Sequence, residues 1–208
     1  MMLKEPVSDS VVRRLPRYYR YLSELERAGV ERTSSQALAT QLGSTASQIR
    51  QDLNCFGGFG HQGYGYHVSD LRTQLGRIIG LEQCMPAVLI GAGHLGSVIA
   101  VNIDFPAYGF YLTGIFDIVP TVCGQVLGGL TVQHMTQLSD FCEQVHPAAA
   151  VLCIPEHAAQ AVADDLVHLG VHGFWNFSHC DLAVEQAQVV TMHLDDSLMT
   201  LSYKLHNL

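Results

Sequence analysis

A short apolar run, Ala87-Val88-Leu89-Ile90, leads without a gap into Gly91-Ala92-Gly93-His94-Leu95-Gly96, and the apolar segment Ser97-Val98-Ile99-Ala100-Val101 follows. Few folds satisfy all three. A buried strand must turn at once into a helix, and each glycine has a part in this. Gly91 permits the turn, Gly93 lets a pyrophosphate approach the backbone, and Gly96 lets helix and strand pack closely. The free N–H groups at the helix start then face an anion. A second strand, Tyr111 to Phe116, ends in Asp117, 21 positions after Gly96. An acid there accepts the hydroxyls of an adenine ribose, and no Arg or Lys follows nearby to meet a 2′-phosphate. The pattern therefore favours NAD(H) over NADP(H).

Further alternation extends an α/β layer fold: 148–154 as strand, 156–169 as helix, Val171 to Phe174 and Val189 to Thr191 as strands. Ile154 and Pro155 fall at the carboxyl edge of that sheet, where ligands of such folds bind. Only 91 residues follow Asp117, and completing the sheet uses nearly all of them. That leaves no substrate domain, and an enzymatic role is not expected. Among eleven histidines, His168 and His172 are spaced i, i+4, but Gly170 and Val171 interrupt any shared helix, so a zinc pair is not expected. His94 lies inside the phosphate turn. Six cysteines occur with no CxxC pair, which favours reduced thiols in a cytoplasmic protein. No apolar run approaches the roughly 18 residues of a membrane span.

Charge divides the chain. Residues 1–80 carry ten bases against seven acids, whereas 81–208 carry Lys204 alone against twelve acids. A basic segment joined to an acidic, glycine-turned one points to a polyanion at one end and a small ligand at the other. From Val11 the apolar positions Leu15, Tyr18, Tyr19, Leu22 and Leu25 share one helical face, with Gly29 as a stop. Pro16 either begins this helix or kinks it. Thr33-Ser34-Ser35-Gln36 and Thr45-Ala46-Ser47-Gln48 both fit a capping box, and Leu42-Gly43-Ser44 links them in helix-turn-helix spacing. On the second helix Ala46, Ile49 and Leu53 would face inward, leaving Ser47, Gln48, Arg50 and Gln51 to a groove. The glycine-aromatic run Phe56 to Tyr66 predicts a tight hairpin, or wing. Arg13, Arg14, Arg17 and Arg20 can lie along phosphates.

These residues together closely resemble the Rex family of redox-sensing transcriptional repressors. The resemblance rests on 14–20 (RLPRYYR), Ser34-Ser35, 48–53 (QIRQDL), 56–60 (FGGFG), the glycine turn, Phe116-Asp117, Ile154-Pro155 with 158–160 (AAQ), Asn176-Phe177 and 201–203 (LSY). It implies a homodimer with a winged-helix domain at 1–80, a Rossmann domain at 81–194 that binds NADH or NAD⁺, and an exchanged C-terminal helix at 195–208. On that pattern Gly91, Ala92, Gly93, His94, Leu95 and Gly96 hold pyrophosphate, Asp117 holds ribose, and Ile154 and Pro155 flank the cofactor. Operator contacts fall to Arg13, Arg14, Arg17, Ser34, Ser35, Thr45, Ser47, Gln48, Arg50, Gln51, His61 and Gln62.

The departures from the family are specific. Gln51 stands where Lys is usual, His61-Gln62 replaces a basic wing tip, His94 replaces an Asn, and Val119 replaces a second Asp. His193 falls where the family has an Asp that exchanges an Arg partner, here Arg20, for a Tyr, here Asn102. Either the switch is rewired, through His193 with Asn102 or through Asp195 and Asp196 with Arg20, or a two-residue gap puts Asp195 in the Asp position. The expected function is a repressor released from palindromic DNA by NADH, with no metal and no membrane partner. The rivals are a small NAD-dependent oxidoreductase and a Rossmann scaffold for CoA or another nucleotide.

Overall fold

The computed structural model describes residues 7–59 and 65–207. Two units emerge, Met1–Glu82 and Gln83–Leu208, and the C-terminal helix belongs to the second.

In the first unit a short helix α1 (Asp9–Val12) precedes α2 (Leu15–Arg27). Pro16 occupies the first turn of α2, where its missing N–H costs no hydrogen bond; it begins the helix rather than kinking it. Leu15, Tyr18 and Leu22 are the buried face, and the αL residue Gly29 (φ +72°) ends the run. After β1 (Arg32–Thr33) come α3 (Ser35–Leu42) and α4 (Ala46–Asn54), then β2 (Tyr66–His67) and α5 (Val68–Ile79). Gly43 at φ 63° caps α3 and turns the chain into α4. Leu38, Ile49, Leu53, Leu71 and Leu75 close one core with the α2 face. An ion pair of Arg72 with Glu26 (2.7 Å) and an Arg72 hydrogen bond to Tyr19 Oη (3.1 Å) tie α5 to α2.

Two local expectations need correction. Thr33 lies in β1, and Ser34 is the residue whose hydroxyl accepts from Ala37 N at 3.1 Å. Thr45 does cap α4, accepting from Gln48 N, but the Gln48 side chain donates to Asp52 Oδ1 (2.8 Å) and does not reach back to the cap. Beyond these, β2 pairs antiparallel with β1, Arg32 opposite His67 and Thr33 opposite Tyr66, so it has a partner that precedes α3; residues 60–64 of the expected hairpin lie outside the described residues. The glycine there is Gly65 (φ +70°), where a Cβ would run into the Thr33 carbonyl. His61 and Gln62 lie outside the described residues.

The second unit is a seven-stranded sheet of β3 (Met85–Ile90), β4 (Phe110–Asp117), β5 (Val126–Leu127), β6 (Leu130–His134), β7 (Ala149–Leu152), β8 (Gly173–Asn176) and β9 (Gln188–Thr191). Their order is β5-β6-β4-β3-β7-β8-β9. Every pairing is parallel except β5 with β6, so the parallel strands follow the doubly wound dinucleotide-binding order. Helices α6 (His94–Asn102), α7 (Leu138–Val145), α8 (Glu156–His168) and α9 (Leu194–His206) complete the unit. One core packs Val88, Ile90 and Phe116 with Leu138, Cys142, Ala163 and Leu166; the other packs Leu89, Ile115 and Val151 with Ile99 and Phe105.

Val171 is not in the strand expected from it. Its N–H bonds to Leu166 O and that of Gly170 (φ +89°) to Val167 O, a Schellman ending of α8. Val171 is fully buried as that motif's apolar contact, and β8 starts two residues later.

Candidate functional site

The switch in strand order lies between β3 and β7, and the glycine turn sits there. Gly91 N donates to Phe116 O (2.8 Å) at the end of β4, and Cys153 N donates to Ile90 O (2.8 Å). At φ +94°, a Cβ on Gly91 would meet Cys153 O at 2.5 Å and Ile154 Cγ2 at 2.9 Å. On Gly96 it would collide with the Gly91 carbonyl, whereas on Gly93 it would meet nothing within 4 Å. Gly91 and Gly96 thus seal the turn against its neighbours, and Gly93 leaves open space above it. Ser97 Oγ braces the turn by donating to Ala92 O (2.9 Å).

Asp117 ends β4 beneath this turn and is nearly buried. Its Oδ2 accepts from Ala92 N (2.7 Å) and its Oδ1 from Val119 N (2.8 Å). Each oxygen retains a further lone pair, so the carboxylate fixes the turn and can still accept a sugar hydroxyl. Ile118 and Val119 beside it are exposed. His94 is exposed at the first position of α6, Leu95 is half-buried, and Ile154 and Pro155 lead into α8. Burial pushes the Cys153 thiol up to about 12, so it stays protonated behind the turn.

The basic unit contains a second polar constellation. Asp52 on α4 is almost fully buried and takes four hydrogen bonds: from Arg14 Nε (2.6 Å) and Nη2 (2.8 Å), Tyr18 Oη (2.6 Å) and Gln48 Nε2 (2.8 Å). Burial opposes ionisation of Asp52, but the bonds from Arg14, Tyr18 and Gln48 outweigh it and hold the carboxyl below its usual range. The hydrogen bond to Asp52 raises Arg14. Burial, with that same carboxylate, pushes Tyr18 up to about 12.

Arg14 and Gln48, both expected to face DNA and both half-buried, donate to this internal network, because a buried carboxylate demands partners. An acid between Ile49 and Leu53 on the apolar face was the signal for this. Among the described residues, Arg13, Arg17, Ser34, Thr45, Ser47, Arg50 and Gln51 are exposed and Ser35 is half-buried, with lighter tethers. Arg17 Nη2 donates to Leu42 O (3.0 Å), Arg50 Nη1 to Ser35 Oγ (3.0 Å), and Arg13 Nε to Asp9 Oδ2 (2.6 Å). Arg50, Ser47 and Gln51 share the open side of α4.

Within the second unit the switch candidates have local partners. Asn102 bonds to Val98 O of its own helix (2.9 Å), while His193 Nε2 is 3.2 Å from Asp181 Oδ1 and Asp195 Oδ1 is 3.6 Å from His179 Nδ1. His193 and Asn102 are thus each engaged elsewhere within the chain.

Residues 6–54 match the family model described as "Putative DNA-binding protein N-terminus", and residues 83–180 match the "CoA binding domain" model. The chain is 45% identical over 201 residues to the redox-sensing transcriptional repressor Rex of Clostridium botulinum (strain Eklund 17B / Type B), covering 96% of each. It is 47% identical over 207 residues to that of Thermoanaerobacter pseudethanolicus, covering 99% of this chain and 92% of that protein. Among solved structures, RSP in complex with β-NAD⁺ and operator DNA superposes with a TM-score of 0.91 at 46% identity, covering 98% of this chain and 94% of that one. RSP in complex with β-NADH gives 0.91 at 44% identity, covering 98% and 96%.

Proposed function

The chain belongs to the Rex family of redox-sensing transcriptional repressors, and we propose that it acts as a cytoplasmic homodimer that grips a palindromic operator through its N-terminal units and lets go when NADH binds. The observation that carries this reading is the glycine turn at the strand-order switch point, open above Gly93 and braced by Asp117. Gly91 to Gly96 would hold the pyrophosphate through backbone N–H groups at the start of α6, and Asp117 the adenine ribose. Exposed Ile118 and Val119 offer an apolar edge for the adenine ring. Lys204 is the sole Lys or Arg after residue 80, which leaves a 2′-phosphate without a cation on this side of the molecule.

The homodimer rests on α9. None of its residues is buried, and Leu194, Leu198, Met199, Leu201, Tyr203 and Leu205 are all exposed. The sheet has a matching vacancy, an apolar groove of about 320 Å³ lined in part by Phe105, Val151, Trp175 and Val190. A bare apolar helix and an uncovered sheet face in one chain are complementary when a second copy supplies the helix. Among the described residues no helix is long and apolar enough to cross a membrane.

On DNA, exposed Arg17 and Arg50 would contact phosphate or base edges, with Ser47 and Gln51 beside them on α4. The dinucleotide supplies binding free energy and no reaction. It shifts the dimer off DNA only by as much as it prefers the arrangement that separates the recognition helices, and a full reversal from 99:1 to 1:99 needs about a 10⁴-fold preference. Anisotropy of a labelled palindromic fragment, measured with NAD⁺ and with NADH at two salt concentrations, tests this. Indifference to NADH would sink the sensor reading, and no DNA binding would sink the repressor reading. The CoA-domain match favours one second reading, a CoA-responsive regulator; displacement of NADH by CoA at comparable concentration would establish it.

A further inference from the structure

Four titratable side chains meet at the root of α9. His193 stands at the N-cap position and Asp195 in the first turn, while the loop after β8 brings in His179 and Asp181. One ligand atom each from His179, His193 and Asp195 lies within 4.8 Å of the others. The two imidazole centroids are 6.2 Å apart, and Asp181 Oδ1 lies 3.2 Å from His193 Nε2.

We propose that His179, His193 and Asp195 form a binding site for a divalent transition-metal cation of the zinc class, with Asp181 at its rim. Two imidazoles and one carboxylate are the donor set that zinc takes, whereas calcium and magnesium call for oxygen alone. Zinc at about 2.0 to 2.1 Å from each tetrahedral ligand sets those ligands roughly 3.4 Å apart. A spread of 4.8 Å or less therefore closes with at most about 1.4 Å of side-chain movement, which rotation of exposed side chains supplies. The side chains of His193, His179 and Asp195 are 29%, 52% and 62% exposed, so the ion has an entry path and water or Asp181 can complete the coordination.

The loop presents His179 firmly. Its backbone is left-handed, at φ 58°, a conformation a side chain other than glycine holds only where its surroundings impose it. Its two neighbours are clamped by Asn176, which is fully buried: Asn176 Nδ2 donates to Cys180 O (2.6 Å), and Asn176 Oδ1 accepts from Ser178 N (3.1 Å) and Ser178 Oγ (2.6 Å). One ligand is thus fixed to the sheet edge, and two belong to the helix that leaves it. Metal binding would pin the departure angle of α9. The site stands on these side chains and does not rest on the NADH-sensor reading. It departs from the expectation of no metal, which came from sequence spacing: the ligands are 14 and 16 positions apart from His179 and form no local motif.

The test is calorimetric titration of the metal-stripped full-length protein with zinc chloride, with cobalt(II) chloride as an optical probe. The expected result is one zinc per chain and a tetrahedral cobalt spectrum, with His193→Ala and His179→Gln each weakening binding by more than about tenfold, the loss that outer-shell partners alone can cause. Zinc affinity should fall as pH drops, since both imidazoles must be neutral to bind. Far-UV circular dichroism checks that the variants are folded, and Asp195→Asn serves should His193→Ala fail that check. Absence of stoichiometric zinc in the parent protein overturns the proposal. Parent-like zinc binding by His179→Gln together with either folded α9 variant does so too, because the ion would then sit on other histidines.

Discussion

Removing the cation and removing the anion of the Arg14–Asp52 pair should not cost the same. Asp52 is 1% exposed, whereas the Arg14 side chain is 28% exposed. Arg14→Met strands a buried carboxylate, a change worth about 3 to 5 kcal/mol. The surviving bonds from Tyr18 and Gln48 keep it near the lower end, ~3 kcal/mol. Asp52→Asn strands a guanidinium that reaches water and leaves Tyr18 a carbonyl acceptor, so ~1.5 to 2 kcal/mol is expected. With a urea slope of about 1 to 1.5 kcal/mol per molar for a unit this small, the midpoints move by ~2 to 3 M and ~1 to 2 M.

The parent and Arg14→Met should also respond oppositely to acid. Asp52 lies below its usual range in the parent, so its stabilisation is full above about pH 4 and is lost as pH falls through the depressed value. In Arg14→Met the same carboxyl, buried without its cation, moves above that range and protonation relieves it first. The gap between parent and variant must therefore narrow from pH 7 to pH 4. Urea unfolding of the full chain followed by circular dichroism reads this out, and Trp175, the single tryptophan, reports the other unit. Equal costs for the two substitutions, or a gap that does not change with pH, would refute the reasoning.

Gly93→Ala should leave the melting temperature unchanged and weaken NADH by more than about tenfold, or ~1.4 kcal/mol, because its Cβ enters space the protein leaves empty. Gly96→Ala should lose both; melting curves and NADH fluorescence separate the two. Arg50→Ala should cost about 1 to 3 kcal/mol in operator anisotropy with no shift of the urea midpoint, since it gives up only the exposed bond to Ser35. Cys153, pushed up to about 12 by burial, should resist iodoacetamide at pH 8 while exposed Cys55 and Cys84 are labelled, as read by mass spectrometry.

The α/β alternation around the glycine turn was legible because periodicity and glycine spacing are local signals. Features set by tertiary contact were not. Val171 has a strand former's chemistry, yet the αL turn at Gly170 captures it into the end of α8. Thr33 and Ser34 are equivalent as caps until β1 claims the first. Strand β1 itself is two residues long and exists because Glu31 O accepts from Val68 N and Thr33 pairs with Tyr66, 37 and 33 positions downstream. The cluster at the root of α9 was invisible for the same reason, since only the β8-to-β9 loop and the start of α9 together bring His179 beside His193 and Asp195.

Charge counting had the same blind spot in the basic unit. Ten bases within 1–80 read as a surface made for phosphate, but geometry sorts them by partner. Arg14 and Arg72 are spent on carboxylates that hold α2 to α4 and α2 to α5, and Arg77 and Arg13 are offset by Glu82 and Asp9. Among the described residues Arg17 and Arg50 bond neutral oxygens alone, so their full charge remains available to a phosphate. The residue that reorganises this account is an acid. Without Asp52, Arg14 would be one more free cation on α2 and Gln48 one more free amide on α4. With it, both become struts that hold the start of α2 against α4. The run from Arg14 to Arg20 is therefore in part a scaffold, and the charges left for a phosphate are fewer than the sequence suggests.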